Sequence, residues 1–158
     1  MTQGFLLETI DAAAVDRARS TGLDTSGHPV QHLESTGGEP LRCCLRNAEA
    51  GEKAILFGYE PPLPASPYRE IGAVFTHAEP CDGPASVTEY PRDWYGKAQV
   101  LRAYDDRGWI HPATCVHDGS DPEGAIRKVL AEPGVVQVHS RNISYGCYNV
   151  TIRPAAEN

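Results

Sequence analysis

The pattern of this chain predicts an α+β fold: a mainly antiparallel sheet of about seven strands, open or closed into a barrel, with two helices. Three observations predict it. Strand-like segments follow one another in hairpin order with turn residues between them. Two segments carry helix caps at their starts. One of those helices falls between the last two hairpins, where it serves as a crossover. With 158 residues and 41% hydrophobic content, the chain is long enough for one domain with a real core, so residues 1–158 are taken as a single domain.

In chain order, Gly4 to Ile10 reads as an opening strand. Asp11 follows as a helix N-cap, with Ile10 and Val15 spaced as a hydrophobic staple, and the helix runs to about Ser20 and stops at Gly22. Thr21 to Glu39 is polar and contains Gly, which makes it a loop or a weak edge strand. Leu41 to Leu45 and Lys53 to Tyr59 read as strands of a hairpin turned at Asn47 to Glu52. Glu60 to Pro91 holds Pro61, Pro62, Pro64, Pro67, Pro80, Pro84 and Pro91, and only Ile71 to His77 within it has strand character. The rest is ordered loop, and long ordered loops in compact domains are often functional.

Gln99 to Tyr104 and Trp109 to Val116 form a further pair around the turn Asp105 to Gly108, with Pro112 placing the second strand at an edge. Asp121 caps the second helix, Pro122 sits at its first position, and Ala125, Ile126, Val129 and Leu130 share a face before Pro133-Gly134 ends it. Val135 to Arg141 and Tyr145 to Arg153 are the closing strands. Side chains alternate faces along a strand, so Val136 and Val138 should meet Tyr148, Val150 and Ile152. The opposite face then gathers His139, Arg141, Cys147 and Asn149.

Lys plus Arg number 14 against 21 Asp plus Glu, a formal charge of −7 with no basic run to offset it. Binding to a phosphate backbone needs such a patch, so nucleic acid is excluded as a partner. The amino terminus has no basic region, and Glu8 breaks its apolar run, unlike a signal peptide. No stretch approaches the roughly 20 apolar residues of a membrane span, so no membrane association is expected. Five cysteines, an odd count without an export signal, fit a reducing cytoplasm.

Several local patterns then fall in a familiar order: Arg42-Cys-Cys-Leu-Arg46; Ser66-Pro-Tyr68 with Glu70 and Gly72; Val74-Phe75 and His77; Arg102-Ala-Tyr104; and Val138-His-Ser-Arg-Asn142 with Tyr145-Gly-Cys147. Together, over roughly Leu41 to Arg153, they resemble the bacterial family known as domain of unknown function 1203. Ala73 stands where that pattern has a proline after Gly72. The resemblance implies a small, single-domain, bacterial cytoplasmic protein and supplies no mechanism.

Three metal readings fail on spacing. His77-Ala-Glu-Pro-Cys81 has the spelling of a zinc deaminase, but Asp82, Gly83 and Pro84 follow Cys81, so the second thiolate is missing. Cys43 and Cys44, if on a strand, point to opposite faces and cannot share an ion, one being buried and the other half-buried. His111 and His117 would lie roughly 20 Å apart on an unbroken strand, too far to converge with Cys115. No metal and no cofactor is therefore expected.

The last strand pair is the site to examine. A thiol becomes a nucleophile at neutral pH when a nearby cation lowers its pKa, and Cys147 would have His139 and Arg141 beside it. Asn149 would orient the imidazole or donate to an oxyanion. The competing arrangement has the second helix covering this face, with Glu123 or Glu132 partnering Arg141. Three readings stay open. The first is a binding protein for a small anionic or polar molecule, held by Arg141, Asn149, Arg42, Arg102 and Tyr68. The second is an enzyme with Cys147 as nucleophile or His139 as general base. The third is a structural protein that forms a homodimer through its edge strands.

Overall fold

The computed structural model describes residues 4–156. Residues 1–3, the start of the amino terminus considered above, lie outside that range.

The described residues form two five-stranded sheets, two α-helices and a short 3-10 turn at Arg92–Trp94. The first sheet contains β1 (Phe5–Glu8), β10 (Tyr148–Pro154), β9 (Gln137–Asn142), β7 (Gln99–Tyr104) and β8 (Cys115–His117), in that order and antiparallel throughout. The second contains β2 (Gln31–Glu34), β5 (Lys53–Tyr59), β6 (Gly72–His77), β3 (Pro40–Leu41) and β4 (Arg46–Asn47), antiparallel except for the single parallel pairing of β3 with β6. The α+β class therefore holds, but the expected single sheet of about seven strands does not, and the sheets of the described residues do not close into a barrel. Each sheet ends on strands of two to four residues, β1 and β8 in one and β2 and β4 in the other.

Helix α1 (Ala12–Thr21) starts where Asp11 accepts a hydrogen bond from the Ala13 N–H, and it ends at Gly22 in the left-handed conformation, whose N–H bonds the Ala18 carbonyl. Ile10 and Val15, the two ends of the staple, are buried together with Ile55, Phe57, Tyr59 and Val74 of the second sheet. Helix α2 (Pro122–Leu130) has Asp121 accepting from the Gly124 N–H and Pro122 in its first turn. Its Ile126, Val129 and Leu130 pack on Leu101, Ala103, Val138, Val150 and Ile152. This helix therefore covers the apolar face of the first sheet, and the face carrying His139 and Arg141 is left for the second sheet and its loops.

Three segments differ from expectation. Leu41 to Leu45 is not a strand: β3 and β4 are joined by a tight turn over 42–45, closed by the Leu45 N–H on the Leu41 carbonyl at 2.9 Å, with Leu45 at φ +55°. An extended segment would have placed the Arg42 guanidinium on one face of a sheet; instead it is buried and tied to two carbonyls. Trp109 to Val116 pairs as a strand only at Cys115–His117. Pro112 has no N–H to give, and the Thr114 hydroxyl takes the place of a ladder carbonyl by accepting from the Ala103 N–H at 2.9 Å. In β10 a bulge between Tyr148 and Val150 shifts the register, pairing Val138 with Ile152 and Ser140 with Val150 but Arg141 with Tyr148. Val138, Val150 and Ile152 meet as the alternation requires, whereas Val136 lies before β9 and is exposed, and Tyr148 crosses to the His139 and Arg141 side.

Candidate functional site

The two sheets meet where β10 approaches β6, and the polar face of the first sheet opens there into a hollow of about 470 Å³. Arg102 reaches it from β7, Arg141 from β9 and Tyr148 from β10; Tyr59, Gly72 and Ala73 come from the ends of β5 and β6. Pro61, Glu70 and the turn Tyr145-Gly146-Cys147 complete the rim. Arg102 and Arg141 share a face because β7 and β9 are antiparallel neighbours in which Val100 pairs with Arg141 and Arg102 with His139.

Both guanidiniums converge on one carboxylate oxygen. Arg102 Nη1 donates to Glu70 Oε1 at 3.0 Å, and Arg141 Nη1 pairs with the same atom. Arg141 Nε donates to the Gly146 carbonyl at 2.9 Å, which fixes the planar group in the hollow. Arg102 lies between the Tyr68 and Tyr104 rings, 5.8 and 5.6 Å from their centroids. Tyr68 is itself held edge-on by Trp109 at 5.7 Å. Glu70 sits on the loop preceding β6, and its side chain is nearly half exposed.

His139 forms the floor. It is 2% exposed, with its ring 4.7 Å from Tyr104 and 5.3 Å from Tyr148 between centroids and its Nε2 3.2 Å from Gln137 Oε1. Burial, aided by the positive charge of Arg141, pushes its pKa down to about 3, so it is a neutral imidazole at physiological pH.

The expected site residues thus separate. Arg141, Arg102 and Cys147 line the hollow, His139 lies under it, and Tyr68 props Arg102 from beside it. Because Tyr148 rather than Cys147 pairs with Arg141, it is the Tyr148 ring that meets His139. Asn149, at the bulge, is buried, donates Nδ2 to Asn142 Oδ1 at 3.0 Å and leaves its own Oδ1 unpartnered. Arg42 stands behind the hollow, where its Nε donates to the Tyr148 carbonyl at 2.8 Å and its Nη1 to the Pro40 carbonyl. Burial pulls its pKa down to about 10. Tyr59 and Gly72 lie on strands the sequence announces and Glu70 on the loop before β6, but nothing in those segments assigns them to the site, since only the meeting of the sheets brings them there.

A second cluster lies at the far end of β6. The 42–45 turn brings the Cys43 and Cys44 sulfurs within 3.5 and 3.7 Å of His77 Nδ1, and Cys81 joins them from the following loop. This reverses the expectation that the adjacent thiols point apart, which held only for a strand. Contact with Cys44, with help from the His77 backbone N–H and Cys81, pulls the Cys43 thiol down to about 5 against the effect of burial, while the same contact and burial push Cys44 up. On its other side, His77 Nε2 lies 2.8 Å from Glu52 Oε2. Glu52 is clamped by both terminal nitrogens of Arg46 at 2.7 and 2.8 Å, which holds its carboxyl well below the usual range.

The family model described as Protein of unknown function (DUF1203) matches residues 38–153. The chain belongs to that family. No curated protein and no solved structure matches it. The matched span runs from just before β3 to β10, so it includes both the hollow and the cysteine cluster. Among the described residues no helix is long and apolar enough to cross a membrane.

Proposed function

We propose that this protein binds a small molecule bearing a carboxylate or phosphate in the hollow between its sheets. One observation carries the reading: two guanidiniums fixed on neighbouring strands already converge on a carboxylate, that of Glu70. The geometry of the clamp therefore suits an anionic oxygen, and the group now in it belongs to a loop and is partly exposed. A ligand anion would displace Glu70 and gain the same two charge-assisted contacts. Two arginines against one glutamate leave the hollow cationic on a chain of net charge −7, which favours an anion locally. Tyr145, on the rim and exposed, offers a ring face and a hydroxyl to the rest of the molecule, while Tyr59 and Tyr148 line the wall with their hydroxyls engaged by the Asp11 N–H and Thr151.

A thermal-shift panel of carboxylates, phosphates and nucleotides tests it. At least one should raise the Tm of the wild-type protein and fail to raise that of Arg141→Ala. A panel without a stabiliser, or one whose stabilisers act equally on Arg141→Ala, refutes the reading.

An enzymatic reading uses the same hollow, because Cys147 lines it beside Arg141. Cys147 as nucleophile would attack a bound electrophile while Arg141 stabilises the developing negative charge. A neutral His139 beneath the hollow would serve as general base only through the narrow recess it shares with Glu70 and Tyr104. Iodoacetamide at neutral pH separates the two: the enzyme requires Cys147 to be alkylated faster than Cys115, and equal or slower labelling leaves binding alone.

A further inference from the structure

We propose that Cys43, Cys44, His77 and Cys81 form a structural zinc site, independent of the hollow. Their four ligand atoms lie within 4.8 Å of one another. A tetrahedron with Zn–S bonds of about 2.3 Å and Zn–N bonds of about 2.0 Å has sulfur–nitrogen edges near 3.5 Å and sulfur–sulfur edges near 3.8 Å. The two sulfur–nitrogen separations, 3.5 Å for Cys43 and 3.7 Å for Cys44, already have that length. Three thiolates and an imidazole are a donor set suited to zinc, and four protein ligands complete its coordination without an open position.

The surroundings fit a metal ligand as well. A metal-bound histidine usually donates its other ring N–H to a carboxylate, which fixes the tautomer and leaves the remaining lone pair for the ion. Glu52 Oε2, 2.8 Å from His77 Nε2, is that carboxylate; Arg46, whose Nη2 lies 3.1 Å from the same ring nitrogen, and the Glu49 N–H hold it in place. The His77 backbone N–H reaches the Cys43 sulfur at 3.3 Å. Zinc with three thiolates carries a net negative charge, and two cations flank it: Arg46 through Glu52, and Arg19, whose guanidinium donates to the His77 carbonyl at 3.1 and 3.2 Å. Cys115 and Cys147 lie outside the cluster. The site ties the 42–45 turn to the end of β6 and to the start of the loop that follows it, where the β3–β6 ladder is limited to the pairing of Leu41 with Phe75. It is therefore a clip, consistent with a pairing too short to hold by itself.

Purified without chelator from zinc-supplemented cells, the protein should carry about one zinc per chain and release it as an organomercurial titrates its thiols. Cobalt(II) added to reduced, zinc-free protein should give the intense visible bands of a tetrahedral thiolate site. Cys81 lies at the exposed edge, so Cys81→Ser should fold, as judged by circular dichroism, yet bind cobalt at least about 10-fold more weakly. Glu52→Gln should weaken binding about 10-fold with the cobalt spectrum unchanged in shape, as befits a positioning residue. Cys115→Ser and Cys147→Ser should keep full stoichiometry, and a chelator should lower the Tm of wild type by more than that of Cys81→Ser. Folded, reduced wild-type protein that shows no tetrahedral cobalt spectrum overturns the proposal, as does uptake undiminished in Cys81→Ser. A protein isolated with a Cys43–Cys81 disulfide that ignores cobalt once reduced overturns it too. Anion binding in the hollow should be the same in Cys81→Ser as in wild type, so the two proposals fail separately.

Discussion

The hollow and the cysteine cluster each hold a histidine among charged partners, yet they are built in opposite ways. The hollow is made by strand alternation: Arg102, His139 and Arg141 stand at paired positions of β7 and β9, and the backbone register fixes their spacing. The cluster is made by a turn, a strand end and a loop, so neither register nor periodicity governs it. The two histidines differ accordingly. His139 is sealed between tyrosines with arginines nearby and stays neutral, whereas His77 is oriented by a carboxylate on one ring nitrogen and faces thiols with the other. A sheet face positions side chains rigidly for binding, and a turn gathers ligands that no single strand can present together.

The largest expected effect concerns His139. Its folded-state pKa, about 3, lies below the ordinary 6.5, so between these values the unfolded chain binds the extra proton. Its contribution is complete above pH 6.5 and is lost as the pH falls towards 3, with a slope of up to about 1.4 kcal/mol per pH unit. Urea unfolding at a series of pH values should show that slope in wild type and a shallower one in His139→Gln. An identical slope in both would mean that the floor of the hollow is open to water.

Next is Arg42, the residue that joins the two regions, since its turn carries Cys43 and Cys44 while its guanidinium holds the Tyr148 carbonyl. Arg42→Met keeps the apolar stem and removes the charged donors, leaving buried carbonyls unpaired at a cost of about 3 kcal/mol in chemical denaturation. Equal stability would show the two regions to be independent.

The smallest effect is at Glu70. Glu70→Gln removes the charge that competes for the Arg102 and Arg141 clamp, and it should tighten binding of an anion found in the panel about 10-fold by calorimetry. Because the pair is partly exposed, its loss should change stability by no more than about 1 kcal/mol. Weaker binding in Glu70→Gln would assign Glu70 to the ligand contacts instead.

Local chemistry alone determined much of this molecule. Both helices begin at the expected aspartates, Asp11 and Asp121, because a cap is satisfied by residues within one turn of it. The segments 53–59, 72–77 and 99–104 are legible as strands because short apolar, β-branched and aromatic runs are written in consecutive residues between turn and proline signals. The apolar match of Val138 with Val150 and Ile152 was legible from the alternation of side chains along a strand. Tertiary structure alone decided the division into two sheets, since pairing partners are chosen by which faces can be buried together and not by any one segment's pattern. It also decided the bulge at Asn149, which moved Tyr148 across the sheet in place of Cys147, and the turn at 42–45, which brought two neighbouring thiols to one histidine. In both places a single local change of backbone direction reassigns which side chains meet, and the energy that selects it comes from contacts with residues distant in the chain: Arg42 with Tyr148, and His77 with Glu52.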